Sequence, residues 1–327
     1  MTAQLIASIR EGRGLPGGAR WGIALAFAAA LISGVAIYVN AFAVKQLPDA
    51  AVYTTLKNGV AGLVLVAAVL LSGAGRHVGK LSRRQLLTLL VVGVVGGSVP
   101  FVLFFSGLAM ATAPNAAFIH KTLFVWVALL AVPFLGERLG LAPLAALAVL
   151  FVGQALVLSP AGMGWGTGEW MILAATLLWT VETIVVKRLL DAVPSGLVGA
   201  CRLGVGLVVL VGFLAMTGKL GIIGQLSAGQ WAWALLTGII LAAYVGTWFA
   251  ALQRAPASVV TSVLVVGAVI TGLLSALSKG VLPAPQALGG YVLIAAAVAV
   301  LAGWSVRSSR PSGTPAMALA GPGVGTR

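Results

Sequence analysis

Four charged side chains stand inside long apolar runs: Lys57, Lys121, Glu182 and Arg202, with His120 beside Lys121. An ionised group at the centre of a bilayer costs about 2.5–3.5 kcal/mol on insertion scales, so these residues face a cavity, a partner or the interface. An ammonium next to an imidazole suits a carboxylate or another polar head group. At helical spacing Phe118, His120, Lys121 and Phe124 form one broad stripe, with rings to flank an apolar tail. Tyr53 lies one turn before Lys57. Trp126, Trp179 and Trp248 sit away from the ends of their runs and could stack an aromatic or aliphatic ligand, or simply pack. Lys57 and Arg202 have a second reading, because long cationic side chains can reach the head groups from such depth. Glu182 is open to two roles, proton carrier or structural partner of Arg202.

Other chemistries find few residues. The single cysteine, Cys201, excludes an internal disulfide and a cysteine metal site, and two histidines, His77 and His120, leave no histidine cluster. No metal and no cofactor is expected. A Walker motif is missing, which argues against ATP drive. Gly97-Ser98 with His120 could imitate an intramembrane hydrolase, yet no GxSxG sequence surrounds Ser98. The chain is therefore not expected to be an enzyme.

These residues need elements to hold them, and composition dictates which. Of 327 residues 60% are hydrophobic and 8% charged, with a mean hydropathy of +1.10, which excludes a soluble protein and a disordered one. Apolar runs between turn residues and charges predict ten membrane helices: 21–43, 51–72, 86–108, 115–135, 141–159, 169–186, 196–216, 231–250, 257–277 and 285–304. Residues 1–20 are expected to form a cytoplasmic segment and 305–327 a disordered cytoplasmic tail. With the N-terminus inside, 14 of the 20 Lys and Arg residues fall on the cytoplasmic side, 3 outside and 3 within spans. This bias explains the net charge of +14 without a nucleic-acid partner. Trp21, Trp165, Trp170, Trp231, Trp233 and Trp304 fall near span ends, as interfacial aromatics do.

The chain also repeats itself. Val44–Ala50 (VKQLPDA) returns as Val186–Ala192 (VKRLLDA) at an offset of 142, which also superposes Ala113-Pro114 on Ala255-Pro256, Pro143 on Pro285 and Gly96 on Gly238. A three-residue insertion aligns Lys57-Asn58-Gly59-Val60 with Arg202-Leu203-Gly204-Val205, and the main offset sets Asn40 opposite Glu182. Five spans per half is an odd number, so the second half, 169–304, runs upside down relative to the first, 21–159. Inverted halves meeting at a central site are the pattern of secondary transporters.

Two five-helix halves, FLGERLG at Phe134–Gly140 after the fourth span, and a tryptophan-bearing sixth span before a basic turn resemble the drug/metabolite transporter superfamily, in particular its EamA family of bacterial metabolite exporters. The second half departs from this pattern, since Lys279-Gly280-Val281-Leu282 replaces Glu137-Arg138-Leu139-Gly140. The resemblance implies an all-helical basket with a central cavity, peripheral fifth and tenth spans, and export of amino acids or other small amphipathic metabolites. Lys57, Lys121 and Arg202 against Glu182 favour a substrate carrying a carboxylate. The alternatives are an exporter of amphipathic drugs or cations and, from another class, the intramembrane hydrolase. The expected partners are this small molecule and the lipid bilayer of the bacterial inner membrane, with both termini cytoplasmic and the chain acting as a monomer.

The orientation is checked by labelling intact cells with an impermeant maleimide in a Cys201→Ala background. A cysteine at position 164 is expected to react and one at position 78 to stay protected; the reverse pattern inverts the topology.

Overall fold

The computed structural model describes residues 18–111, 113–158 and 164–308. The expectations for the N-terminal segment and the tail lie outside these residues except at their inner edges. There Gly18–Arg20 already belong to the first helix, and the tenth runs on to Ser308. Ten helices are long and apolar enough to cross a membrane: α1 (Gly18–Gln46), α2 (Ala50–Leu71), α3 (Arg83–Gly107), α4 (Asn115–Leu135), α5 (Leu141–Leu158), α6 (Thr167–Leu189), α7 (Ser195–Met216), α8 (Ala228–Arg254), α9 (Ala257–Lys279) and α10 (Pro285–Ser308).

The helix ends follow local chemistry. Asp49 caps α2, its carboxylate accepting from the N–H groups of Ala51 (2.8 Å) and Val52 (3.1 Å). Ser82 and Ser227 open α3 and α8 with reciprocal capping boxes to Gln85 and Gln230. Gly136 and Gly280 close α4 and α9 in the left-handed conformation, at φ 68° and 64°. Inside the membrane, hydroxyls such as Thr54, Thr55, Thr176 and Thr180 donate to the carbonyl four residues earlier, so that none is stranded.

Three spans read as single helices from the sequence are broken. α3 breaks at Ser98 (φ −138°, ψ −69°), just before Pro100. α4 breaks at Thr122 and α9 at Leu264, and these two positions differ by the repeat offset of 142. Neither carries a Pro or Gly at the break. Tighter three-residue bonds replace the helical ladder there: Thr122 to Ile119 and Val125 to Thr122 in α4, Val265 to Ser262 and Ala268 to Val265 in α9. The two halves thus kink at one shared point.

Packing repeats the same symmetry. α1 lies along α8 as α6 lies along α3, and α2 crosses α8 as α7 crosses α3. α2 meets α7, α4 meets α9 and α5 meets α10 about the axis between the halves. Small residues set the closest approaches. A Cβ on Gly97 of α3 would stand 2.1 Å from the Arg202 carbonyl, and one on Gly238 of α8 would stand 3.0 Å from the Lys57 carbonyl. α5 and α10 are the least buried spans and α9 the most. Leu63, Leu70, Val208 and Val292 turn outward, where hydrocarbon would cover them.

Side chains tie the helices at each end, across the halves at one and within the second half at the other. At one end Lys219 pairs with Asp49 (2.7 Å) and Gln230 donates to the Gln46 carbonyl (2.8 Å). At the other end, Lys187 donates to the carbonyls of Leu252 (2.5 Å) and Ala255 (2.9 Å). Gln46 therefore meets the start of α8 and Lys187 meets its finish, so the matching segments Val44–Ala50 and Val186–Ala192 lie at opposite ends. The second half is inverted.

Candidate functional site

The two halves fill one equivalent position in different ways. In the second half, Arg202 of α7 holds Glu182 of α6 by both nitrogens, Nε to Oε1 at 2.5 Å and Nη2 to Oε2 at 3.1 Å, and both residues are buried. Gly96 of α3 makes room for this pair, because a Cβ there would stand 2.1 Å from the Glu182 carboxyl carbon. In the first half the acid is replaced by Asn40 of α1, whose side-chain oxygen accepts from the Tyr53 hydroxyl of α2. Lys57, the match of Arg202, is left without a counter-ion among the described residues. It is buried, with Nζ 5.2 Å from the centre of the Tyr53 ring and 5.5 Å from that of Phe105.

Aromatic rings surround this region. Trp179 of α6 meets Phe101 (5.3 Å), Phe104 (5.8 Å) and His120 (5.0 Å), and its indole N–H donates to the Gly96 carbonyl at 3.1 Å. His120 also stands edge-on to Phe104 at 5.2 Å, and its Nδ1 is buried without a hydrogen-bond partner among the described residues. Lys121 is buried and has no ion pair among them either. Arg202 lies 5.8 Å from the rings of both Phe101 and Phe249. Tyr244 stacks on buried Trp248 at 6.1 Å.

The expected stripe on α4 divides. Phe118 turns from His120 to meet Phe151 of α5 at 5.6 Å, since residues two apart lie about 200° apart around a helix. Phe124 is fully buried in the core. Trp126 is half-buried and donates to Thr122 Oγ1 at 2.9 Å. Phe101, Phe104 and Phe105 were not singled out from the sequence. Their signal was available, three aromatics at i, i+3 and i+4 just after Pro100. Ser98 donates to the Val94 carbonyl of its own helix (2.9 Å), not to His120, so the hydrolase pair does not form.

A cavity of about 190 Å³ between α2, α3 and α7 is lined by Thr54, Phe101, Phe105 and Ser106, with Asp49 and Lys219 at its rim. At the opposite end, a recess of about 530 Å³ holds Glu137, Lys187, Arg188, Asp191 and Arg254. There Glu137 accepts from the N–H groups of Ala257 (2.5 Å) and Ser258 (3.3 Å) and from the Ser258 hydroxyl, closing the start of α9. Arg188 donates to the Phe134 carbonyl, and Gln253 to that of Leu190 at 3.0 Å. The spans α4, α6, α8 and α9 are fastened together at this end, whereas the lined cavity lies toward the other.

Comparison with known proteins agrees with this arrangement. The family model of the EamA-like transporter family matches twice, over residues 20–159 and 166–303. A solved crystal structure, titled only as that of a protein, superposes with a TM-score of 0.69 at 18% identity, covering 87% of this chain and 99% of its own, which shows the fold. No curated protein matches the chain.

Breaking a buried pair by removing one partner costs about 3–5 kcal/mol, whereas replacing both by apolar residues is often neutral. Glu182→Gln is therefore expected to lower the melting temperature of the detergent-solubilised protein sharply, and adding Arg202→Leu to restore most of it. A double variant as unstable as the single one would remove the pair from the folding account. The rim pair gives a pH prediction. Burial pushes the Asp49 carboxyl up, but the Lys219 ammonium and the Val52 and Ala51 N–H groups outweigh it and hold the group below its ordinary 3.8. Its stabilising contribution is present above pH 3.8 and lost as the pH falls further. Asp49→Asn is thus expected to cost about 1 kcal/mol or less at pH 7, the site being partly exposed, and less at pH 3. Melting curves of both proteins at the two pH values check this.

Proposed function

The chain belongs to the EamA-like transporter family, and on that premise we propose that it is a secondary exporter of small carboxylate-bearing metabolites, with amino acids as the first class to test. One observation carries the reading of the substrate: Lys57 and Lys121 are buried cations without counter-ions, beside rings that can take an apolar side chain. The remaining interior pair, Glu182 with Arg202, cancels itself. A transported carboxylate supplies the missing negative charge, and the charge-assisted bonds it gains offset its loss of hydration.

The proposed cycle is alternating access between the inverted halves. In this structure the Glu137 end is fastened and the cavity lies toward the Asp49–Lys219 end. The bias of Lys and Arg supports the reading that the fastened end, and with it both termini, faces the cytoplasm of a bacterial inner-membrane protein. The breaks at Thr122 and Leu264 are the natural hinges, because the helical ladder is already interrupted at both.

Counterflow of radiolabelled amino acids in proteoliposomes tests the function. Within that assay Lys121→Ala is expected to weaken an amino acid by the worth of one charged hydrogen bond, about 1.5–3 kcal/mol, or about 10- to 150-fold. The amide of the same amino acid is expected to lose far less. Equal weakening of both would confine Lys121 to packing, and faster exchange of amphipathic cations would favour the drug-export reading.

A further inference from the structure

We infer that Asn58 reads a second polar group on the transported acid, so that the site selects carboxylates bearing an amino or hydroxyl group over plain aliphatic acids. The inference rests on the proposed carboxylate site and adds a specificity-determining residue to it.

Asn58 is fully buried, and among the described residues neither its side-chain oxygen nor its nitrogen has a hydrogen-bond partner. Other interior amides find at least one partner: buried Gln154 donates to the Phe118 carbonyl (3.2 Å), with its own oxygen unmet, and half-buried Asn40 accepts from Tyr53. A buried amide with both ends unmet carries its whole desolvation cost uncompensated. The scaffold does not require it, because the repeat sets Leu203 of α7 at the matching place, and that leucine packs fully buried. An apolar residue would serve the helix crossing at least as well.

Position supplies the rest. Asn58 follows Lys57, the cation without a counter-ion, and lies one turn inward of Thr54, which lines the cavity between α2, α3 and α7. Gly62, one turn further along the same face, leaves Leu203 at ordinary contact distance, 3.5 Å from where a Cβ would stand. The amide therefore lies below the cavity on the α2 face toward α7, with a donor and an acceptor both unclaimed. Lys57 would hold a carboxylate, while Asn58 Oδ1 would accept from an ammonium or hydroxyl group and Nδ2 would donate to an oxygen. A plain aliphatic acid leaves the amide unmet.

The test uses matched pairs that differ by one amino group: alanine with propanoate, leucine with 4-methylpentanoate, and phenylalanine with 3-phenylpropanoate. Each compound competes for binding to the purified full chain in proteoliposomes. Wild type is expected to prefer the amino acid of at least one pair by tenfold or more. Asn58→Leu is expected to erase that preference by weakening the amino acid far more than the deamino acid, and Asn58→Ser, which keeps a donor and an acceptor and adds no charge beside Lys57, to retain part of it. If Asn58→Leu fails to fold, Asn58→Thr takes its place and is expected to retain a partial preference. A preference that survives Asn58→Leu would overturn the inference and assign the amide to a trapped water. Lys57→Met is expected to weaken both members of a pair alike. If it weakens neither, the carboxylate reading fails on its own account, whatever Asn58 does. If wild type binds neither member of any pair, both the reading and the inference fall.

Discussion

A charge carried into hydrocarbon must be cancelled or face something that cancels it, and the architecture of this protein turns on where that is done. Glu182 and Arg202 cancel each other through two hydrogen bonds between α6 and α7. The pair forms only because α3 carries no side chain at its crossing. Gly96 leaves the volume that the carboxylate occupies, and Gly97 lets the α3 backbone approach the Arg202 carbonyl. Packing of three spans and neutralisation of one ion pair are thus a single constraint. A larger residue at position 96 would meet the carboxylate before it met the helix behind it.

The inverted repeat offers that arrangement twice, and its interest lies where the halves differ. Asn40 stands for Glu182, and Lys57 for Arg202. An amide can be satisfied by the Tyr53 hydroxyl, so the first half gives up its internal counter-ion without stranding Asn40. The cost is moved onto Lys57, which keeps only the faces of Tyr53 and Phe105. Cation–π contact is worth about 2 kcal/mol when desolvated, less than a buried ion pair returns. A strong charge in a weak environment is what a binding site needs, because the ligand then has something to supply. The symmetric scaffold provides the place, and the substitution of one acid leaves there the charge on which the proposed carboxylate reading rests.

Much of this was legible in the residues. The ten spans, their inversion and the correspondence of Lys57 with Arg202 all follow from apolar runs, an odd span count and a repeated heptapeptide. The Glu182–Arg202 pair follows from comparable depth on spans of opposite direction. What periodicity cannot supply is the direction in which a given face points. Phe118 and His120 share a broad stripe on paper, yet one meets α5 and the other α6, because α4 is wedged between them. The breaks at Thr122 and Leu264 were hidden for a different reason. Neither residue is a helix breaker, and the apolar periodicity runs through both positions without marking the interruption. Asn58 was hidden because a lone amide in an apolar run is unremarkable until its neighbours fail to satisfy it.

The same reasoning explains why the two ends are not equivalent. Glu137 meets N–H groups at the start of α9 that no helical carbonyl can reach, while Lys187 meets carbonyls at the end of α8 that no helical N–H can reach. Together they fasten both sides of the turn at Ala255 and Pro256. At the opposite end the repeat sets Lys279 in the place of Glu137 and Lys45 in the place of Lys187, and both are exposed. An ammonium cannot accept from the start of a helix, so Lys279 cannot repeat the part that Glu137 plays. That end is tied instead by Asp49 and Lys219, a partly exposed pair that water weakens. One end is held by several hydrogen bonds to otherwise orphaned backbone, the other by a screened charge pair and the single bond from Gln230 to the Gln46 carbonyl. The FLGERLG element gives its glutamate a structural task at the fastened end, accepting from the start of α9, that Lys279 in the matching place cannot perform.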